Sequence, residues 1–432
     1  MDRTVRIEKL KEIAKPANVV ARKDIHYKNE RKTMDVFDIP LECLIFNQHN
    51  GRISTFVKTY EKQHSPIDAT TEEGKKLIAD FLWKSKENRN KVTQQDLKEK
   101  GQLEYGIVTA DGVVIDGNRR FMLLEENRRK YREATAYFKA IILEDTLESN
   151  KKEIMKLETT YQMGVDDKVD YNPIQKYLKC DDLIKQGFTV DEIAKMMGEK
   201  ASEIKEYLSI LKLMDEYLKE YGYDGMYRVL ETHKLEGHFV DLNNYLSRYQ
   251  RGGVKNMDWT PNPEDIDDLK KVYFDYMRAG LGVHEIRVIA NPSKGKGIFT
   301  KKKLWDDFAK KHFGIIDGIE EGEKSFQEMR EENPDMDAVD LISARDKKFE
   351  KIVASELKGN RGRTERDLED INSQNQPFEL MQRAYRTLEK VDSTVEDFGT
   401  EKIKDKAKEI EKLAYELKRL AEEKIKQAAT EK

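Results

Sequence analysis

The run Tyr105-Gly106-Ile107-Val108-Thr109-Ala110-Asp111-Gly112-Val113-Val114-Ile115-Asp116-Gly117-Asn118-Arg119-Arg120 constrains the fold more than any other stretch. Two β-branched segments flank Asp111-Gly112, and glycine accepts the positive φ of a tight turn, so the pattern predicts a β-hairpin. Its second strand runs into Asp116-Gly117 and then a helix with an apolar face of Phe121, Leu123 and Leu124. A glycine turn between strand and helix presents backbone N–H groups at the positive end of the helix dipole. Arg119 and Arg120 add two guanidinium groups, which outlines a phosphate cradle. The same residues also fit an ordinary tight turn with two surface arginines.

The surrounding text supports an α+β domain over residues 34–165. Val36-Phe37-Asp38-Ile39-Pro40-Leu41 predicts a strand ending at a proline, and Phe46 to Arg52 a polar loop. Leu77, Ile78, Phe81 and Leu82 have helical spacing within Thr71 to Lys84, and a shorter helix is expected over Gln94 to Lys100, stopped by Gly101. Tyr137 to Leu143 predicts another strand. Lys152 to Leu157 predicts a short helix leading into Glu158-Thr159-Thr160-Tyr161-Gln162. Residues 1–33 are charged and aperiodic, and are expected to form an N-terminal docking arm or a partly ordered tail.

Downstream, Tyr171-Asn172-Pro173 opens a helix that Gly187 ends. Thr189 with Glu192 forms a capping box, Gly198 supplies a turn, and Ser202 is expected to cap a helix burying Ile204, Tyr207, Leu208 and Leu211. A small residue at Ala194, the glycine and the apolar anchor at Ile204 are what a helix-turn-helix needs, over residues 166–215. Thr189, Lys200, Ser202 and Lys205 are the candidate DNA contacts, although any bihelical hairpin shares this spacing. Glu203 and Glu206 on the second helix oppose phosphate contact.

Residues 216–335 predict a mostly helical domain, with a junction at Trp259 to Pro263 and a basic run, Lys294-Gly295-Lys296-Gly297 and Lys301 to Lys303, that is a solvated loop or a phosphate contact. Residues 321–375 suit a linker with short helices inside a charged tail, 336–432. In that tail Ile403, Ile410 and Leu417 lie beside Ala407, Ala414, Ala421 and Ala428 at seven-residue spacing. This narrow seam implies a coiled coil, either with a second chain as a homodimer or with the helix around Phe378 to Leu388.

Composition sets limits on partners. Hydrophobic and charged residues each make up 38% of 432 residues, so two to four units with much solvated helix are expected. A net charge of -4 means that any nucleic-acid contact is a local patch. No window approaches the roughly 18 apolar residues of a membrane span, and the start lacks a secretory signal, so a cytoplasmic protein without membrane partners is expected. Cys43 and Cys180 lie far apart and are expected as buried thiols. No HExxH or Walker-type loop occurs, and Glu231-Thr232-His233 and His284-Glu285 are expected to be structural.

The succession of the Ile39-Pro40-Leu41 strand, helix, hairpin, Asp116-Gly117-Asn118-Arg119-Arg120, Asn172-Pro173-Ile174 and helix-turn-helix resembles the ParB family of chromosome and plasmid partition proteins, over about residues 34–215. In that family a Gly-Glu-Arg-Arg element binds the triphosphate of CTP. It corresponds to Gly117-Asn118-Arg119-Arg120, with asparagine in place of glutamate. A second family element, Glu-Asn-x-x-Arg, helps to hold phosphate and magnesium. It would fall at Glu158 to Gln162, where only the glutamate is kept. The resemblance therefore implies a ParB/sulfiredoxin-like α+β domain followed by mostly helical domains. It also implies a nucleoside triphosphate, CTP in the family, with magnesium, held by Asp116, Gly117, Asn118, Arg119, Arg120, Glu158 and Gln162, with Glu158 as the metal contact. Sulfiredoxin chemistry needs a cysteine at the turn and is excluded by Asn118; Asp116-Gly117 is similar to the Asp-Gly-Gln-Gln-Arg domains of phage-defence proteins.

Three functions fit. The first is a nucleotide-responsive DNA-binding protein. The second is a nucleotide hydrolase or nuclease component of a phage-defence system, and the third a non-catalytic interaction adaptor.

Overall fold

Neighbouring residues on the central strands point to opposite faces of one sheet, and this alternation builds two cores. The computed structural model describes residues 1–131, 136–164, 171–320 and 323–430. Its first part runs α1 (Arg3–Ile13), β1 (Val19–Tyr27), β2 (Glu30–Pro40), β3 (Ile45–Phe46), α2 (Ser54–Glu61), α3 (Glu72–Ser85), α4 (Glu87–Lys100), β4 (Gly106–Val108), β5 (Val113–Asp116), α5 (Asn118–Tyr131), β6 (Tyr137–Ile142) and α6 (Lys151–Thr159). The strands form a sheet in the order β1-β2-β6-β4-β5-β3. It is mixed: β3 with β5 and β4 with β6 are parallel, and the remaining pairs antiparallel. Val108, Val114, Phe138 and Ala140 pack with Ile78, Leu82, Phe121 and Leu123 of α3 and α5. Their strand neighbours Ile107, Ile115 and Ile141 pack on the other face with Ile154 and Leu157 of α6.

The first 33 residues do not form an arm. They make α1, the edge strand β1 and the start of β2, and they clasp the hairpin tip: buried Arg6 donates from Nε to the Asp111 carbonyl at 2.6 Å, and Arg3 pairs with the Asp111 carboxylate at 3.2 Å. Only Ile25 and Tyr27 of β1 are buried, so an edge strand carries the charged text of a tail. The hairpin, its glycine turn and the flanking helices otherwise lie where the spacing predicts them, except that α4 begins at Glu87, seven residues before Gln94.

The helical part continues with α7 (Pro173–Lys185), α8 (Val190–Met197), α9 (Ala201–Glu220), α10 (Tyr227–Thr232), α11 (Glu236–Arg251), α12 (Pro263–Arg278), α13 (Val283–Ala290), α14 (Lys302–Glu320), α15 (Phe326–Glu332), α16 (Ala338–Leu388) and α17 (Glu401–Thr430). Met1–Glu365 is one compact unit and Arg366–Lys432 a second. The stretch read as linker and short helices, 321–375, holds the short α15 as expected, but from Ala338 onward it is the first part of the 51-residue α16. Leu341, Ile342, Phe349, Val353 and Leu357 at its start are buried, which turns charged text into a core helix of the first unit. In the second unit Phe378, Met381, Tyr385, Ile410 and Leu417 are exposed. Cys43 and Cys180 are free and buried, and burial pushes the Cys180 thiol up to about 12. Among the described residues, no helix is long and apolar enough to cross a membrane.

Candidate nucleotide turn and nucleic-acid interface

Strand β5 ends at Asp116, and Gly117 turns the chain into α5 with φ of +101°. A side chain there would be strained, and a Cβ would come within 2.7 Å of Phe138 Cζ. The Gly117 carbonyl accepts from Phe121 N at 2.9 Å, so the first-turn amides of α5 follow the turn directly. Asn118 is buried and points inward: Nδ2 donates to the Val114 carbonyl at 2.6 Å, and Oδ1 accepts from Asn47 N at 2.9 Å. It is a brace between β5 and the loop after β3, bonded within the protein at both ends of its amide. Arg120 donates to the Asp116 carboxylate at 2.9 Å, so these two turn residues neutralise each other. Lys23 of β1 is held by the Tyr105 carbonyl at 2.8 Å. Burial pushes its ammonium below the usual range while nearby Asp116 opposes that shift.

Behind the turn lies a buried polar cluster. The Glu158 carboxylate accepts from Lys179 Nζ at 2.8 Å, from Asn47 Nδ2 at 3.1 Å and from Gln162 Nε2 at 3.3 Å. Glu158 and Lys179 side chains are 3% and 4% exposed, so this is a fully desolvated ion pair. Gln162 also donates to the Ile115 carbonyl at 3.1 Å and accepts from the Tyr171 hydroxyl at 2.6 Å. The Arg52 guanidinium carbon lies 5.6 Å from the centre of the Tyr171 ring, and burial raises the phenol's pKa well above its usual value. Magnesium does not fit at Glu158, because an ammonium and two amides already fill the carboxylate and no second acid joins it. Among the described residues there is no cluster of three metal-ligating side chains.

The cluster joins the sheet to the helices. Asn47 comes from the loop after β3, Glu158 from the end of α6, and Lys179 from α7, the helix before the helix-turn-helix. Asn118 touches Asn47, so the turn and α7 are three hydrogen-bonded contacts apart. The glycine-turn pattern singled out Asp116 to Arg120, the family resemblance added Glu158 and Gln162, and Glu158 and Gln162 do meet behind the turn. Neither found Asn47, Lys179 or Lys23, the first two because an amide in a loop and a lysine in a helix look solvated, the third because β1 looked like an arm.

In the helix pair the Thr189–Glu192 capping box forms in both directions, and Gly198 closes α8 in the left-handed region at φ of +65°. Cys180, Leu183, Ile193, Ala194, Met197 and Ile204 make its core. Lys200, not Ser202, caps α9: Lys200 N donates to the Glu203 carboxylate at 2.7 Å. That bond lowers the Glu203 pKa and ties its charge to the helix start, where the dipole favours it. Ser202 is thereby freed, and Thr189, Lys200, Ser202 and Lys205 are all exposed. Tyr207 and Leu208, expected in the core, are half-buried at its edge, and Leu211 is buried. The basic run after α13 is partly absorbed: Lys302 pairs with Asp306 at 2.8 Å, and Lys301 donates to the Asn256 carbonyl at 2.7 Å. Glu231 and His233 are structural: Glu231 accepts from Thr55 and Asn172, and His233 meets Ser343 Oγ at 2.8 Å.

Fold and site thus define a mixed-sheet α+β domain with a glycine turn, followed by a helical body that opens with a helix-turn-helix. No protein-family model matches the chain, and no curated protein does. Among solved structures, the C-terminally truncated chromosome-partitioning protein ParB from Caulobacter crescentus, complexed to the centromeric parS site, aligns with 59% of this chain and 99% of that chain, at 14% identity and a TM-score of 0.30.

Proposed function

We propose that this protein binds duplex DNA through the face of Thr189, Lys200, Ser202 and Lys205, and that a nucleoside triphosphate, CTP by the family resemblance, at Asp116 to Arg120 controls that binding. The observation that carries the reading is the unbroken chain of buried contacts Asn118–Asn47–Glu158–Lys179, which runs from the glycine turn to the helix preceding the helix-turn-helix. A phosphate bound at the first-turn amides of α5 draws Arg120 away from Asp116, and a shift of Asn118 is passed to α7 because buried, fully bonded groups move together. Arg119 and Arg120 supply the charge, and Gln162 with Glu158 support the turn from behind. The exposed apolar seams of Arg366–Lys432 support pairing of two copies through the tail, which light scattering on a chain lacking residues 400–432 tests as a dimer turned monomer.

The deciding experiment is a titration of the full chain with each of the four NTPs, with and without duplex DNA. Binding of one NTP that changes DNA affinity is expected, and Arg119→Ala with Arg120→Ala should weaken NTP binding by at least about tenfold. Unchanged NTP affinity in that variant overturns the nucleotide site. The Asp116–Arg120 pair, closed on itself, favours a second reading: an adaptor whose sheet domain holds no nucleotide. Absence of binding by all four NTPs selects it.

A further inference from the structure

The end of α11 gathers several cations around one concavity. An open concavity of about 560 Å³ is lined by Arg248, Arg251 and Lys255 together with Gly252, Gly253, Val254, Pro292 and Ser293, and among the described residues no Asp or Glu lines it. Lys296 is exposed and its N–H donates to the Ser293 carbonyl at 3.1 Å, so a fourth cation leaves the same turn. Other cations of the helical body are matched by acids: Arg287 of α13 pairs with Asp241 at 2.7 Å, and Lys270 with Glu216 at 2.8 Å. Arg248, two turns beyond Asp241, donates to the hydroxyl of Ser293 at 2.8 Å. Gly252 and Gly253 both have φ near +70°, and a Cβ on either would meet nothing within 4 Å. The floor is therefore bare backbone that a bulky anion approaches closely.

Position gives the concavity its meaning. Phe239 of α11 packs on Tyr217 of α9 with ring centres 5.5 Å apart, and Asn243 accepts from Ser209 at 2.6 Å. As α11 advances, its partners on α9 recede, so the two helices run antiparallel. From Asn243 to Arg251 is about 12 Å of helix, and from Ser209 back to Ser202 about 10 Å. The cationic end of α11 thus lies at the same end of the pair as Ser202 and Lys205.

We infer that Arg248, Arg251 and Lys255 hold the phosphodiester backbone of the duplex beside the segment met by α9, a second anchor of the DNA site. It rests on the DNA-binding reading above. It also answers the weakness of that reading: the helix-turn-helix is nearly neutral, and phosphate contacts supply most of the affinity of such interfaces.

The test is fluorescence anisotropy of the full chain with a labelled duplex across a salt series. The Arg248→Ala, Arg251→Ala, Lys255→Ala variant should bind at least tenfold more weakly at about 0.1 M salt, and the slope of log affinity against log salt should become shallower by about 2 to 3, close to 0.9 per phosphate lost. Arg248→Lys with Arg251→Lys should keep most of the slope, which a purely structural role for the arginines does not predict. Duplex binding and slope unchanged in the triple variant, but lost in Lys200→Glu with Lys205→Glu, sinks this inference alone. Loss in the triple variant with none in the lysine variant sinks the helix-turn-helix contact and keeps the anchor. No duplex binding by the unaltered chain ends both.

Discussion

The glycine turn before α5 and the end of α11 are both basic, and they handle their charge in opposite ways. At the turn Arg120 closes on Asp116, and the buried glutamate behind it closes on Lys179. At the end of α11 three cations share a concavity with a serine, a proline, a valine and two glycines, and among the described residues no acid lines it. A guanidinium that already has a carboxylate is a spring to be released by a competing anion, whereas one without a carboxylate is a standing contact. The first arrangement suits a switch and the second an anchor.

The largest effect should come from breaking the charge balance where water cannot help. Lys179→Met leaves Glu158 buried and uncompensated, and should cost about 3–5 kcal/mol of stability in urea denaturation. Glu158→Gln added to Lys179→Met should cost less than Lys179→Met alone, since the orphan charge is gone. Alanine at Arg251, exposed at the other basic region, should change stability by less than about 0.5 kcal/mol. Equal costs at the two places would erase the distinction.

Two glycines sharpen the comparison at a smaller scale. Gly117→Ala combines a φ of +101° with a Cβ 2.7 Å from Phe138, and should destabilise by about 2–4 kcal/mol while disturbing the α5 amides. Gly252→Ala has the same kind of backbone conformation, φ of +71°, but open space around it. It should cost only about 1–2 kcal/mol. Thermal unfolding of the two variants side by side decides whether the turn is the tighter fit.

Much of this was legible in the residues themselves, and the exceptions share a cause. Ile107 to Arg120 could be read because strand alternation, a turn glycine and a helix face are local patterns. Thr189 to Gly198 was legible for the same reason, and both directions of its capping box are present. Strand β1 was not, because an edge strand with two buried residues out of nine has no hydrophobic period to detect. Nor was α16, where Gly359, Asn360 and Gly362 near its middle look like breakers although Asn360 is buried and donates to the Phe308 carbonyl at 3.1 Å. The Glu158–Lys179 pair is a tertiary event: the partners sit 21 residues apart on different helices, and nothing in either helix marks its charge as buried. The same holds for Arg248 and Lys255, whose meeting in one concavity without a described acid in its lining is a property of the assembled surface.

The smallest predicted effect compares the two parts through their histidines. Burial lowers the pKa of His49, close to Glu158 and Lys179, and also those of His233 and His238 in the helical body. A histidine with a depressed pKa in the folded state takes up its proton later than it does unfolded. As pH falls below about 6.5 the unfolded chain binds protons first, so this part of the stability, fully present above that pH, declines toward acid. Glu231 and Asp215, raised chiefly by burial, act in the opposite sense at lower pH, so the slope of the whole chain mixes both. His238 isolates one contribution. Its Nε2 donates to the Leu281 carbonyl at 3.1 Å, a bond that a glutamine amide can replace, while Nδ1 is buried. The Leu281 and Leu235 backbone carbonyls and, after them, Asp241 favour its protonation, but less than burial opposes it. His238→Gln should therefore lose less stability than the unaltered chain between pH 7.5 and 5.5, measured by urea midpoints at each pH. Parallel pH profiles would mean that His238 titrates alike in the folded and unfolded chains, and the acid sensitivity would then have to come from His49 and His233.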